Sequence, residues 1–88
     1  MNDNYSVTVL RPARKQLERL HPKIRRQIYA RLNGLHQDPR PHDIKALRGV
    51  GGYRIDSGEY RIIYEIDDRA RFVTVRAIKH RKDAYRNL

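Results

Sequence analysis

Between Leu35 and Tyr53 the hydrophobic period of this chain changes, and that change limits the folds open to it. Before it, Ile24, Ile28, Leu32 and Leu35 recur at the spacing of one helical face. After it, Tyr60, Ile62, Tyr64 and Ile66 alternate with Arg61, Ile63 and Glu65, which is the period of a strand. A helical half followed by a stranded half implies an α+β domain, with helices laid on a sheet.

The remaining elements fall into place around that division. Tyr5, Val7 and Val9 alternate with Ser6, Thr8 and Leu10, as a short first strand would. Pro12 and Pro22 each suit the first turn of a helix, where the missing N–H costs nothing. Ala13, Leu17 and Leu20 form the apolar stripe of the first helix. Two short helices joined by a few residues pack as a hairpin. Residues 36–52, with Pro39, Pro41 and three glycines, read as loop. Then follow a strand at Tyr53–Asp56, a tight turn at Ser57-Gly58, a strand at Tyr60–Ile66, a turn at Asp67–Ala70 and a strand at Phe72–Ile78. In the last strand Val73, Val75 and Ala77 are expected on one face, and Thr74, Arg76 and Ile78 on the other. Residues 83–88 form a short helix or a tail. The expected order is β-α-α-β-β-β in a single domain over 1–88, with the helical hairpin on one face of a mainly antiparallel sheet. The other face is left open to a partner.

Charge indicates what that partner is. Twenty Lys and Arg oppose ten Asp and Glu, a net +10. Such an excess favours a polyanion: nucleic acid, an anionic membrane or an acidic protein. No apolar run approaches the roughly 20 residues of a membrane span. The first residues lack a secretory pattern and cysteine is absent, which together point to the cytoplasm.

From Arg69 to Leu88 seven Lys or Arg stand with one carboxylate, Asp83. Hairpin pairing can bring Arg54, Arg61 and the end of the last strand together, and a phosphate fits between such guanidinium groups. His80 is the one side-chain type that ordinarily titrates near neutrality, and it follows the last strand amid Lys79, Arg81 and Lys82. Tyr85 offers a ring on which an unpaired base can stack. A solvated basic surface and a satellite core tyrosine are the plain alternatives to these readings. Asp67-Asp68 is a turn and not a metal site, because adjacent strand residues point to opposite faces. No zinc or two-metal spacing, phosphate-binding glycine loop or Ser-His-Asp pattern is present.

Leu47-Arg48-Gly49, Gly52-Tyr53-Arg54-Ile55, Gly58-Glu59-Tyr60-Arg61-Ile62-Ile63-Tyr64-Glu65-Ile66 and His80-Arg81-Lys82-Asp83-Ala84-Tyr85-Arg86 resemble the RelE side of the RelE/ParE toxin superfamily. The resemblance spans nearly the whole chain. It implies the toxin of a toxin–antitoxin pair that cuts mRNA in the ribosomal A site without a metal ion or other cofactor. By position, Arg54 and Arg61 match basic active-site positions, Arg81 the C-terminal catalytic arginine, and Tyr85 the C-terminal tyrosine. One position departs: Asp56 stands where RelE-type toxins commonly carry a second Lys or Arg. That implies weak activity, a different base or a non-nuclease member.

The expected chemistry is in-line attack of a ribose 2′-OH on the adjacent phosphate, with Arg61 and Arg81 stabilising the added charge. His80 is the expected general base and Tyr85 its rival. Arg54 would hold a flanking phosphate, and Lys45, Arg76, Lys79 and Lys82 would grip RNA. The expected partners are an acidic RelB-like antitoxin, the ribosome with its mRNA, and operator DNA bound only as the toxin–antitoxin complex. Two other functions compete: a ParE-like toxin that poisons DNA gyrase, and an RNA-binding module without catalysis.

Overall fold

The computed structural model describes residues 4–49 and 51–86. Its elements are β1 (Ser6–Val9), α1 (Arg11–Glu18), α2 (Pro22–Leu35), β2 (Lys45–Ala46), β3 (Tyr53–Ser57), β4 (Tyr60–Asp67), β5 (Phe72–His80) and α3 (Arg81–Arg86). The sheet runs β1-β5-β4-β3-β2. It is antiparallel except for β1, which pairs in parallel with β5. The α+β reading therefore holds, with one strand more than expected: the two-residue β2, inside the segment read as loop.

The helical hairpin forms as the prolines foretell. Pro22 occupies the first turn of α2, and the His21 ring caps it by accepting the Lys23 backbone N–H at 3.1 Å. Ala13 and Leu17 of α1, with Ile28, Leu32 and Leu35 of α2, are buried against Ile55, Ile62, Tyr64, Val73, Val75 and Ile78 of the sheet. Truncating such a residue to alanine typically costs about 2–5 kcal/mol, so this single layer of contact fixes which sheet face is covered.

Two expectations about the strands are corrected. The turn between β3 and β4 consists of Gly58 and Glu59, because Ser57 still pairs with Tyr60. Gly58 has φ 59° while Glu59 keeps negative φ, which fits a type II′ turn. The alternation in β5 also breaks. Tyr64 pairs with Val75, but Ile63 pairs with Ala77, leaving Arg76 as an extra, bulged residue. After the bulge every side chain changes face. Ile78 is consequently buried and Ala77 is not, the reverse of simple alternation. The Gln16 side chain of α1 accepts the Ile78 N–H at 2.7 Å and so ties α1 to the shifted strand.

Beyond the bulge, His80 pairs with Tyr60 and Ile78 with Ile62 on the helix-covered side, and Lys79 opposes Arg61 on the open side. Gly52, at φ 91°, lets the chain pass close to β4: a Cβ there would meet the Tyr64 carbonyl oxygen at 3.0 Å.

Candidate functional site

The open sheet face carries two cross-strand rows near the β3–β4 turn. One is Lys45, Arg54, Ile63 and Ala77; the next is Asp56, Arg61 and Lys79. Period-two geometry puts these side chains opposite the core. Four of the predicted cations, Lys45, Arg54, Arg61 and Lys79, therefore share a face, and the bulge is what adds Lys79 to it.

Arg81 arrives from the start of α3. Its backbone N–H donates to the Glu59 carbonyl at 2.8 Å, which fixes α3 to the β3–β4 turn. A cavity of about 170 Å³ results, lined by Asp56, Gly58, Glu59, Arg61 and Arg81. Two guanidinium groups and two carboxylates thus meet in one small opening. Asp56 Oδ1 stands 3.5 Å from Arg54 Nη1 and 3.9 Å from Arg61 Nε. Both separations exceed the 2.7–2.9 Å of a tight charge-assisted bond. The Arg54 and Arg61 side chains are only 20% and 17% exposed, whereas Asp56 is 52% exposed. The arginines lie along the sheet, and the carboxylate projects from it.

His80 occupies another environment. Its Nδ1 accepts the Lys82 backbone N–H at 3.2 Å, so it caps α3 as His21 caps α2. Its ring packs edge-on to Tyr60, centroids 5.1 Å apart. A second cavity, of about 350 Å³, holds it together with Gln16, Leu20 and Ile78. Glu59, from the wall of the first cavity, places its Oε2 3.6 Å from His80 Nε2. In a neutral ring whose Nδ1 accepts, the proton sits on Nε2 and faces Glu59.

The other predicted residues are more scattered. Arg76 donates to Glu65 Oε2 at 2.6 Å across the ladder. Lys45 and Lys82 are exposed. Tyr85 belongs to α3, but its side chain lies outside the described residues. Glu59 escaped the sequence reading. Its signal was its place in a two-residue turn beside Arg61, which only the correct turn register reveals. Among the described residues no three His, Cys, Asp or Glu side chains are grouped as metal ligands would be. No helix among them is long and apolar enough to cross a membrane.

Comparison with known proteins bears on the family and the fold. The sequence model of the family described as the ParE toxin of type II toxin–antitoxin systems matches residues 7–85. The fold is similar to that in the archaeal RelE–RelB complex from Pyrococcus horikoshii OT3, with TM-score 0.81 and 25% identity over 89% of this chain and 96% of that one. It is similar to the toxin–antitoxin complex RelBE2 from Mycobacterium tuberculosis, with TM-score 0.77 and 29% identity over 88% and 91%. The intact E. coli RelBE toxin–antitoxin complex gives TM-score 0.75 and 28% identity over 86% and 95%. No curated protein matches the chain by sequence.

Proposed function

The chain belongs to the ParE toxin family, within the RelE/ParE superfamily of toxin–antitoxin toxins, and from that premise we propose that it is an endoribonuclease that cuts mRNA in the ribosomal A site. The observation that carries the reading is that Arg61 and Arg81 line one open cavity at the end of the sheet, with Arg54 3.5 Å from the Asp56 carboxylate in its wall.

The reaction is attack of the ribose 2′-oxygen on the neighbouring phosphorus, with departure of the 5′-oxygen. It yields a 2′,3′-cyclic phosphate and a 5′-hydroxyl. The nucleophile is already tethered, so positioning supplies much of the rate. Arg61 and Arg81 stabilise the charge that builds on the non-bridging oxygens, and Arg54 holds a flanking phosphate. Permanently protonated guanidinium groups cannot accept the 2′ proton, so another group must. His80, with Tyr85 as its rival, is the acceptor that the sequence suggests. Lys45, Arg76, Lys79 and Lys82 grip RNA around the site. An acidic, RelB-like antitoxin would cover the same basic face, and the pair together would bind operator DNA.

The test is to add the protein to ribosomes programmed with a defined mRNA and to map the new ends. Cuts within the A-site codon that carry cyclic phosphate support the reading; intact mRNA beside arrested supercoiling by gyrase replaces it with a ParE-like function. The family match and the anionic Asp56 among the arginines favour that second reading, and tight RNA binding without cleavage would favour a third, a non-catalytic module.

A further inference from the structure

The carboxylate of Asp56 sits where a phosphate-binding surface would be expected to carry only positive charge. Taking the nuclease reading as its basis, we propose that Asp56 is the general base of the reaction, accepting the proton of the attacking 2′-OH.

Besides Gly58 the cavity has two guanidinium groups, of Arg61 and Arg81, and two carboxylates, of Asp56 and Glu59. The guanidinium groups cannot take a proton, so among the described residues a base inside this cavity is a carboxylate. His80 is committed elsewhere, because Nδ1 caps α3 and its ring stands in the other cavity. Glu59 lies in the turn and faces His80 Nε2. Asp56 differs from Glu59 in being a strand residue, held in register opposite Arg61 and flanked by Arg54.

The distances suit the role. At 3.5 and 3.9 Å from its two arginine neighbours, the carboxylate is oriented but not locked in a forked bond. Its exposure leaves it accessible to a hydroxyl, and it also borders the groove towards Gln27 and Arg31 of α2. The charged groups around it are therefore Arg31, Arg54, Arg61, Arg81 and Glu59. A phosphate held by Arg61 and Arg81 would lie beside Asp56, which lines the same cavity.

The 2′-oxygen forms a bond to phosphorus as its proton passes to Asp56. The bond from phosphorus to the 5′-oxygen breaks, and that oxygen takes a proton from water at the open mouth. Asp56 then returns its proton to solvent. The arginines hold the phosphate that Asp56 would otherwise repel, so one residue set supplies both binding and proton removal.

Single-turnover cleavage on programmed ribosomes, measured for wild type, Asp56→Asn and Asp56→His, tests this. Asp56→Asn should lower the cleavage rate constant about 100-fold or more, as loss of a general base does. The same variant should hold mRNA-loaded ribosomes as tightly as wild type or more so, having lost a negative charge. Asp56→His should restore activity with a rise through about pH 6–7, the range of imidazole. An Asp56→Asn rate equal to or above wild type overturns the assignment and makes Asp56 a mere brake on phosphate binding. A parallel loss of binding and rate also overturns it, because it makes Asp56 a support for the arginines. Wild type that leaves A-site mRNA intact fails the nuclease reading itself, a distinct result from an active wild type with an unimpaired variant.

Discussion

The two ends of β4 hold the same kinds of residue and use them in opposite ways. At the end where β4 runs into β5, Arg40 forks onto Asp68 at 2.8 and 2.9 Å, and the Tyr5 hydroxyl donates to the same carboxylate at 2.7 Å. Arg40 also lies over the Tyr53 ring, 5.6 Å from its centroid, and Arg71 lies over Tyr5. At the other end, Asp56 stands 3.5 and 3.9 Å from Arg54 and Arg61, with Arg81 and Glu59 around the same opening. The first set closes on itself and joins three chain segments: the residue before β1, the loop after α2 and the β4–β5 turn. The second set leaves its carboxylate projecting into a cavity. Tight, mutually satisfying pairs serve the fold; looser pairs around an opening are the ones a substrate can rearrange.

Separate readouts of activity and stability sharpen the contrast. The largest effect is expected at the open end. Arg81→Ala should reduce cleavage about 10²–10³-fold, as loss of one well-placed electrostatic donor does. The same change should alter stability by less than about 0.5 kcal/mol, because the side chain is exposed and the backbone bond to Glu59 survives. A large fall in melting temperature with normal cleavage would erase the distinction between the two ends.

Next in size is a change towards the closed end. The Tyr64 ring is fully buried, and its hydroxyl donates to the Pro39 carbonyl at 2.8 Å, one residue before Arg40. Burial pushes the Tyr64 hydroxyl pKa well above that of a free tyrosine, so it stays a donor at any working pH. Tyr64→Phe leaves that carbonyl without its donor and should cost about 1–2 kcal/mol. For a domain of this size that lowers the melting temperature by roughly 4–8 °C per kcal/mol. Cleavage should be unaffected below the melting transition.

How much of this was legible depended on the range of the interaction that decides each feature. Pro12 and Pro22 mark their helices through local backbone chemistry, and the β4 alternation is visible residue by residue. The basic cluster was legible because charge and strand parity are both sequence properties. The bulge at Arg76 was not, since nothing in Val75-Arg76-Ala77 signals it. The shifted register is sustained by a bond from Gln16, sixty-two residues away, to the Ile78 N–H. That slip decides that His80 joins Tyr60 while Lys79 joins Arg61, so the site could only be half read from the sequence. The Arg40–Asp68–Tyr5 cluster was invisible for the same reason. Asp68 read correctly as a turn residue, and its two partners are 28 and 63 positions distant.

That cluster gives a pH test of the closed end. The bonds from Arg40, then Tyr5, hold the Asp68 carboxyl near pKa 2, below its ordinary 3.8. A carboxylate with a depressed folded-state pKa stabilises the protein fully above its ordinary range and loses that contribution as pH falls through the folded value. Asp68→Asn should therefore melt below wild type at neutral pH, and the two melting curves should converge as pH falls from about 4 to about 2. A gap that stays constant over this window would mean that the ionised carboxylate contributes nothing and that the fork is incidental.

The smallest expected effect decides which end of the molecule His80 resembles. It lies beside the open cavity, yet its bonding is of the closed kind: Nδ1 accepts the Lys82 N–H, and the ring rests on Tyr60. Asparagine presents an acceptor to the same backbone group and is among the best helix caps, but it is no base near neutral pH. If His80 acts only as a cap, His80→Asn should cleave within about threefold of wild type and keep its melting temperature. His80→Ala should lose about 0.5–2 kcal/mol of stability, as a missing cap does. A His80→Asn protein that folds normally but cleaves about 100-fold more slowly would return the base to His80 and would require the cap to open before each turnover. The pair of substitutions separates a histidine that orders α3, and with it Arg81, from one that touches the substrate. Only the first is consistent with a ring whose accepting nitrogen is already occupied.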